Sequence, residues 1–443
     1  MIHRILLLSA LWLPGSLLAA SPNFVFILAD DQAWNGTSVK MSKDLEASRA
    51  AAFHTPNLER LAAQGITFSQ AYAAHPKCEA SRAAMQMGRT TTTLNATDKT
   101  SRQWSAPISD SLANVLKRAR PDYRTAHLGK WQWFHTPEAM GYDVSDGITM
   151  NEDGDSPDPN DPKLSFSLTR RAVSFMEQQV KEQHPFYLQL SYYAVHNQPQ
   201  ALASTVSKYE ARGGDRAIMA AMTEDLDSCI GTVLQSLEKL GIADQTVVIY
   251  QSDNGGRTGY LAGGKGNLFE GGLRIPMILR IPGVPGGRVC DTPVISYDLY
   301  PTILDLAAPD APLPPGVEGG SWRSLWSASS DGTVKRPIPR FVFHQAVEVD
   351  HPQSAIRKGN AKLIYYWDTH QTQLYDLASD LTESKDLSQE RPDVTASLLS
   401  ELRTHVAAGI GEATVAALER GERPVGPRRP GDKPRPKPPR PRP

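Results

Sequence analysis

The stretch Asn23-Phe24-Val25-Phe26-Ile27-Leu28-Ala29-Asp30-Asp31 decides the fold, because an apolar run stops abruptly on two adjacent acids. The run reads as a strand. A second run, Thr246-Val247-Val248-Ile249-Tyr250-Gln251, leads through Ser252 to Asp253-Asn254. Both acidic pairs therefore fall at strand C-termini, the edge of an open α/β sheet where ligands bind. Asp and Asn oxygens are hard donors, suited to Ca2+ or Mg2+ and poor for zinc, which prefers nitrogen and sulfur. Taken singly, an Asp-Asp pair after a strand is commonly a turn or a helix N-cap. Asn254-Gly255-Gly256 alone is a turn whose glycines supply positive φ.

Outward from these runs, short β-branched segments alternate with amphipathic ones. The spacing predicts strands at Asn23–Ala29, Thr125–Leu128, Phe186–Ser191, Thr246–Gln251 and Pro276–Arg280. It predicts helices at Asn57–Gln64, Ser111–Arg118, Leu168–Gln183, Met219–Leu240 and Tyr300–Ala307. Such alternation argues for an α/β fold, a mostly parallel sheet between helical layers. The acidic, proline-rich stretch Asn151 to Lys163 reads as a surface loop. Pro309 to Gly320 reads as a linker into a smaller unit with antiparallel strands at Ala355–Arg357, Ala361–Tyr366 and Gln373–Asp376, then a helix around Val394–Val406. The expected division is a signal segment 1–20, a main domain 21–325, a C-terminal subdomain 326–420 and a tail 421–443.

The 443 residues, 40% hydrophobic and 21% charged with a formal net charge of −1, supply a large core and no global field for nucleic acid. Met1-Ile2-His3-Arg4, the apolar stretch from Ile5 and the exit at Ala19-Ala20 have the form of a secretory signal peptide, an uncleaved anchor being the other reading. Export implies a periplasmic or secreted location. No other segment is apolar and long enough to span a bilayer. Three cysteines in such a chain allow one disulfide or none, and Cys229 lies in a helical pattern where a buried free thiol is expected. From Pro424 onward proline alternates with basic residues through Arg442. This extended tail either tethers the chain to polyanions or only keeps it soluble.

Cys78-Glu79-Ala80-Ser81-Arg82 alone would mark a small buried residue. Its company changes that reading. Asn23 to Gln32, His54-Thr55-Pro56-Asn57-Leu58-Glu59-Arg60-Leu61-Ala62, Cys78 to Arg82 with Gly88-Arg89, and Gly129-Lys130-Trp131 occur in order. His196, Ser252-Asp253-Asn254-Gly255-Gly256, Lys265-Gly266, Glu270 to Pro276, Leu299 to Ala307 and Gln373 to Leu377 follow. In these segments the chain resembles the type I sulfatases of the alkaline-phosphatase superfamily. The resemblance implies a large mixed sheet flanked by helices and a smaller C-terminal subdomain.

In that family the cysteine of a Cys-x-Pro-Ser-Arg motif is oxidised to formylglycine by a maturation enzyme, and position 78 is the match. The resemblance implies a hydrated aldehyde there, one hydroxyl attacking sulfur and the other later losing its proton to expel sulfate. It also implies Asp30, Asp31, Asp253 and Asn254 as ligands of Ca2+, with Mg2+ the less favoured ion and an oxygen of modified Cys78 completing the shell. Arg82 would favour the ionised nucleophile, Lys130 and Lys265 would hold sulfate oxygens, and His196 would protonate the leaving oxygen. A sulfate ester demands such a set, because anionic oxygens shield its sulfur and its alcohol leaves poorly unless protonated.

Two positions depart from the family pattern. Gln132 stands two residues beyond Lys130 where the family has histidine, and glutamine cannot accept a catalytic proton. His127, His135 and His75 are the candidates to replace it. Ala80 stands in place of the motif's proline, so conversion of Cys78 depends on the maturation enzyme of the host. Trp131, Trp133, Phe134, Tyr192 and Tyr193 flank the implied site, either as faces for sugar rings or as core. With export, they favour a sulfated oligo- or polysaccharide as substrate. Two other classes share these residues: a formylglycine-dependent phosphodiester or phosphonate hydrolase, and a sulfoglycan-binding protein without turnover.

Overall fold

A computed structural model describes residues 21–94, 106–212, 214–257, 259–326, 332–346 and 349–422. The signal segment, and the basic tail from residue 423, lie outside the described residues. The strands are β1 Asn23–Ala29, β2 Ile66–Phe68, β3 Ala71–Tyr72, β4 Arg124–Gly129, β5 Val144–Ser145, β6 Phe186–Ser191 and β7 Thr246–Ser252. They continue as β8 Met277–Arg280, β9 Arg288–Cys290, β10 Val294–Ile295, β11 Phe341–Gln345, β12 Gln353–Lys358, β13 Ala361–Tyr366 and β14 Thr372–Asp376. The α-helices are α1 Pro56–Gln64, α2 Cys78–Met87, α3 Leu112–Ala119, α4 Ser165–Glu182, α5 Ala203–Ser207, α6 Gly214–Lys239, α7 Glu270–Leu273, α8 Leu299–Ala307, α9 Pro392–Ile410 and α10 Glu412–Glu419.

The central sheet has the order β5-β4-β6-β1-β7-β8-β2-β9. β5, β4, β6, β1 and β7 are parallel neighbours, whereas β8 runs against both β7 and β2. β1 is central and wholly buried. Its Phe24, Phe26 and Leu28 enter a core layer with Leu112 of α3 and Ile303 of α8, while Val25, Ile27 and Ala29 enter the opposite layer with Leu61 of α1, Ala172 of α4 and Val233 of α6. Both faces are covered, which is why the run is apolar throughout instead of alternating. Each large apolar side chain buried this way contributes roughly 1.5–3 kcal/mol. The five strands and five helices predicted for the main domain are all present, with ends shifted by a few residues.

Antiparallel β11-β12-β13-β14 form a second sheet. One face packs on Leu398 and Leu402 of α9, and the other on Tyr72, Leu273 and Tyr297 of the first unit. The segment read as a linker is tied down. The backbone N–H groups of Glu318 and Gly319 donate to the Gly88 carbonyl at 2.8 and 3.2 Å, and the Glu318 carboxylate accepts from Thr90 N and the Thr93 hydroxyl. Of the two cysteine alternatives, the structure has no disulfide: Cys229 and Cys290 are free, buried, and sit in opposite core layers. Among the described residues no helix is long and apolar enough to cross a membrane.

Candidate active site

Four adjacent parallel strands, β4, β6, β1 and β7, deliver their C-terminal ends to one place. β1 leads into Asp30-Asp31 and β7 into Asp253-Asn254, the register setting Ala29 beside Ser252. β4 leads into Lys130, and β6 leads through Tyr192 and Tyr193 to His196. Lys130 N donates to Ser191 O at 2.8 Å. This close approach requires Gly129, which has φ 93° and where a Cβ would lie 2.0 Å from that carbonyl. Gly255 is needed for a different reason from the one expected. Positive φ is not the cause; a Cβ there would lie 2.0 Å from Gly271 O.

Cys78 is the first residue of α2, an element sequence periodicity did not disclose, so Arg82 lies four residues on along the same helix face. The Cys78 sulfur sits 3.4 Å from Asp30 Oδ1 and 3.7 Å from Asp31 Oδ1, and Lys265 Nζ lies 3.1 Å from it. Lys265 Nζ is also 2.6 and 2.7 Å from the two Asp31 carboxylate oxygens. Arg82 Nε donates to Asp253 Oδ2 at 2.9 Å, its Nη2 lies 3.9 Å from Asp30 Oδ1, and its Nη1 donates to the Lys130 carbonyl. Lys130 Nζ donates to Asp30 Oδ2. His196 Nε2 stands 3.8 Å from Asp31 Oδ2. All nine residues named from the sequence therefore meet in one cluster.

Asp30, Asp31, Asp253, Asn254, Arg82 and Lys130 are buried. Burial alone would raise the Asp30 carboxyl, but Lys130 and Arg82 outweigh it and hold Asp30 below the ordinary carboxylate range. Burial, reinforced by Asp253, pushes the Cys78 thiol well above its usual value, so the unmodified sulfur is a poor nucleophile. Burial lowers His196 below an ordinary imidazole.

The donor chemistry fits a hard cation. Three carboxylates converge, and Asn254, whose Nδ2 donates to Asp31 Oδ1 at 2.8 Å, keeps its carbonyl Oδ1 buried without a hydrogen-bond partner. Donor atoms of Asp30, Asp31, Cys78 and His196 all lie within 4.8 Å of one another. His196 thus stands with the acidic group. Asp253 turns its oxygens to Arg82 and to Asp31 N, the latter at 3.2 Å.

Gln132 has φ 58° and a buried Oε1 without a hydrogen-bond partner. His127 is bonded to Ser191 Oγ at 3.1 Å and held edge-on to Trp131, with burial lowering it to about 3. His75, bonded through Nδ1 to Lys77 N, is likewise lowered by burial to about 3. Each bonds within the fold through one ring nitrogen, and burial opposes protonation of either. Trp131, Trp133, Tyr192 and Tyr193 are core residues, and of the five flanking aromatics Phe134 alone is exposed. Arg257, which the sequence reading missed, reaches Asp31 Oδ2 at 3.8 Å. Its position between Gly256 and Lys265 was the available signal.

A family model described as sulfatase matches residues 22–309, and one described as N-sulphoglucosamine sulphohydrolase, C-terminal, matches residues 260–408. A sulfatase of Formosa agariphila is 26% identical over 475 residues, covering 84% of this chain and 85% of its own. The N-acetylgalactosamine-6-sulfatase of Mus musculus is 29% identical over 369 residues, covering 71% of this chain and 68% of its own. The crystal structure of Ps i-CgsB in complex with k-i-k-neocarrahexaose superposes with a TM-score of 0.75 at 24% identity, covering 90% of this chain and 97% of that one, a likeness of fold.

Proposed function

Because the chain belongs to the sulfatase family and is a sulfuric ester hydrolase, we propose that it cleaves sulfated oligo- or polysaccharides, using Cys78 matured to formylglycine and a Ca2+ ion. The observation that carries this reading is the convergence of Asp30, Asp31 and Lys265 on the Cys78 sulfur, with Arg82 fixed beside it on the same helix. Asp30, Asp31, Asp253 and Asn254 would hold the ion, and four oxygen donors favour Ca2+ or Mg2+ over zinc. When present, the ion supplies positive charge for the sulfate oxygens and the nucleophile, and the hydrated aldehyde supplies two hydroxyls on one carbon.

The chain's own residues do the rest. Lys130 and Lys265 bind sulfate oxygens, drawing on the same ammonium groups that now face Asp30 and Asp31. Arg82 keeps Asp253 oriented and adds positive charge beneath residue 78. His196, 13% exposed, stands towards the opening and gives a proton to the departing sugar oxygen, a state the anionic substrate favours. The carbohydrate assignment is supported by relatives whose names specify an N-acetylgalactosamine sulfate and by a fold neighbour solved with a neocarrahexaose. We further propose a formylglycine-generating partner that accepts Ala80, and export through the Met1–Ala20 segment.

The test is ion release by fully converted protein from paired sulfate, phosphate and phosphonate esters. Sulfate release from sulfated saccharides supports the reading. Preferential cleavage of phosphodiester or phosphonate would replace it with the related hydrolase, and saccharide binding without turnover would replace it with a sulfoglycan-binding role.

A further inference from the structure

Exposure is graded around Asp31. The side chains of Arg82, Lys130, Asp30 and Asp253 are 0–3% exposed, those of His196 and Lys265 13% and 15%, and that of Arg257 51%. The site therefore opens on the side where Arg257 stands, its Nε 3.8 Å from Asp31 Oδ2. The backbone preceding Arg257 is closely packed. Gly255 N donates to Gly272 O at 3.0 Å and Lys265 N to Gly256 O at 2.9 Å, while a Cβ on Gly256 would meet the Ala33 side chain at 2.6 Å. A Cβ on Gly264 would meet Arg257 O at 2.8 Å.

A guanidinium thus reaches the same carboxylate as Lys265. Among the described residues it makes no hydrogen bond, and its ionic neighbour Asp31 is already engaged by Lys265 and Asn254. The inner carboxylates are already engaged without it: Asp30, Asp31 and Asp253 face Arg82, Lys130 and Lys265. Arg257 is a further cation at the entrance, 51% exposed, with a planar fork of donors suited to an oxyanion.

We propose, on the reading that sulfated saccharides are the substrates, that Arg257 determines specificity by binding a second anionic substituent of the sugar, a further sulfate or a uronate carboxylate, beside the ester being cleaved. The scissile sulfate belongs to Lys130 and Lys265 deeper in the site.

The test assays fully converted wild type, Arg257→Lys and Arg257→Ala on three probes. These are a neutral glycoside with one sulfate, the same glycoside with two, and a disaccharide with one sulfate and one uronate. For Arg257→Ala, kcat/KM on one or both doubly anionic probes falls about 10- to 100-fold relative to the singly sulfated probe, mainly through KM. Arg257→Lys falls between, because it keeps charge and loses the fork. The probe that loses most identifies the partner as sulfate or carboxylate. An equal loss on all three overturns the proposal and assigns Arg257 to the scissile sulfate, and unchanged ratios overturn it outright. No release from any probe by wild type removes the substrate reading and this role with it.

Discussion

Lys362 Nζ lies 2.9 Å from Glu270 Oε1, with both side chains fully buried, so an ion pair joins β13 of the C-terminal sheet to the helix that begins five residues after Lys265. Glu383 Oε1 stands 2.8 Å from the same ammonium, and Arg274 Nε donates to Glu270 Oε2 at 2.7 Å. Lys362→Met removes the ammonium that both buried groups share, leaving Glu270 to Arg274 and Glu383 without its cation. Removing one partner of such a cluster costs about 3–5 kcal/mol. Urea unfolding should show that loss, with partial recovery in the double variant carrying Glu383→Gln. A change below about 1 kcal/mol would mean that water reaches the cluster.

Stability should fall on acidification. Burial lowers His75 and His127 to about 3 and His344 to about 4. Below about pH 6.5 the unfolded chain protonates these imidazoles and the folded one does not, so their contribution is lost as pH drops from about 6.5 towards 4. Glu383, raised by burial to about 7, works oppositely: protonated when folded and ionised when unfolded, it weakens the fold as pH rises from about 4.5 to 7. The histidines outnumber it, leaving a net loss of up to about 3 kcal/mol per pH unit on acidification. Urea unfolding at pH 6.5, 5.5 and 4.5 measures this, and His344→Phe should flatten the slope. Stability that holds level or rises on acidification would show that the imidazoles are hydrated.

Gln132→His should fold within about 1 kcal/mol of wild type, since histidine tolerates the left-handed backbone there better than most residues. It supplies a group able to take a proton where glutamine cannot. The kcat–pH profile should gain an ionisation, and sulfate release should change. An unchanged profile and turnover would remove position 132 from the reaction.

Chelation should lower Tm and added Ca2+ restore it, because a bound ion stabilises by about 2.7 kcal/mol at a hundred times its Kd. Asn254→Leu preserves volume and removes the unpartnered Oδ1, so Ca2+ affinity should drop at least about tenfold, the cost of losing even an outer-shell partner. A Tm indifferent to both treatments would contradict the cation site.

Much of this site was legible in sequence because strand ends are. The runs closing on Asp30 and Asp253 are long and apolar, and parallel pairing brings their ends together wherever loops wander. α2 was not legible: Cys78 to Met87 is buried on nearly every side, so no polar face marks a period. β2, β3, β9 and β10 are two or three residues long, too short for alternation to register. The aromatics near Lys130 were ambiguous for a related reason, since a buried tryptophan such as Trp131 and a sugar-stacking one have the same sequence signature. Arg257 carried no motif of its own beyond its place between Gly256 and Lys265, too weak a signal without its distance to Asp31.

In the proposed reaction the reactive group is built on residue 78. Its most direct test is sulfate release from a sulfated saccharide by wild type and Cys78→Ala, both produced with a formylglycine-generating enzyme and with conversion of the wild type verified by peptide mass. Turnover is expected in the converted wild type and none above background in Cys78→Ala; equal release by the two proteins would place the reactive group elsewhere.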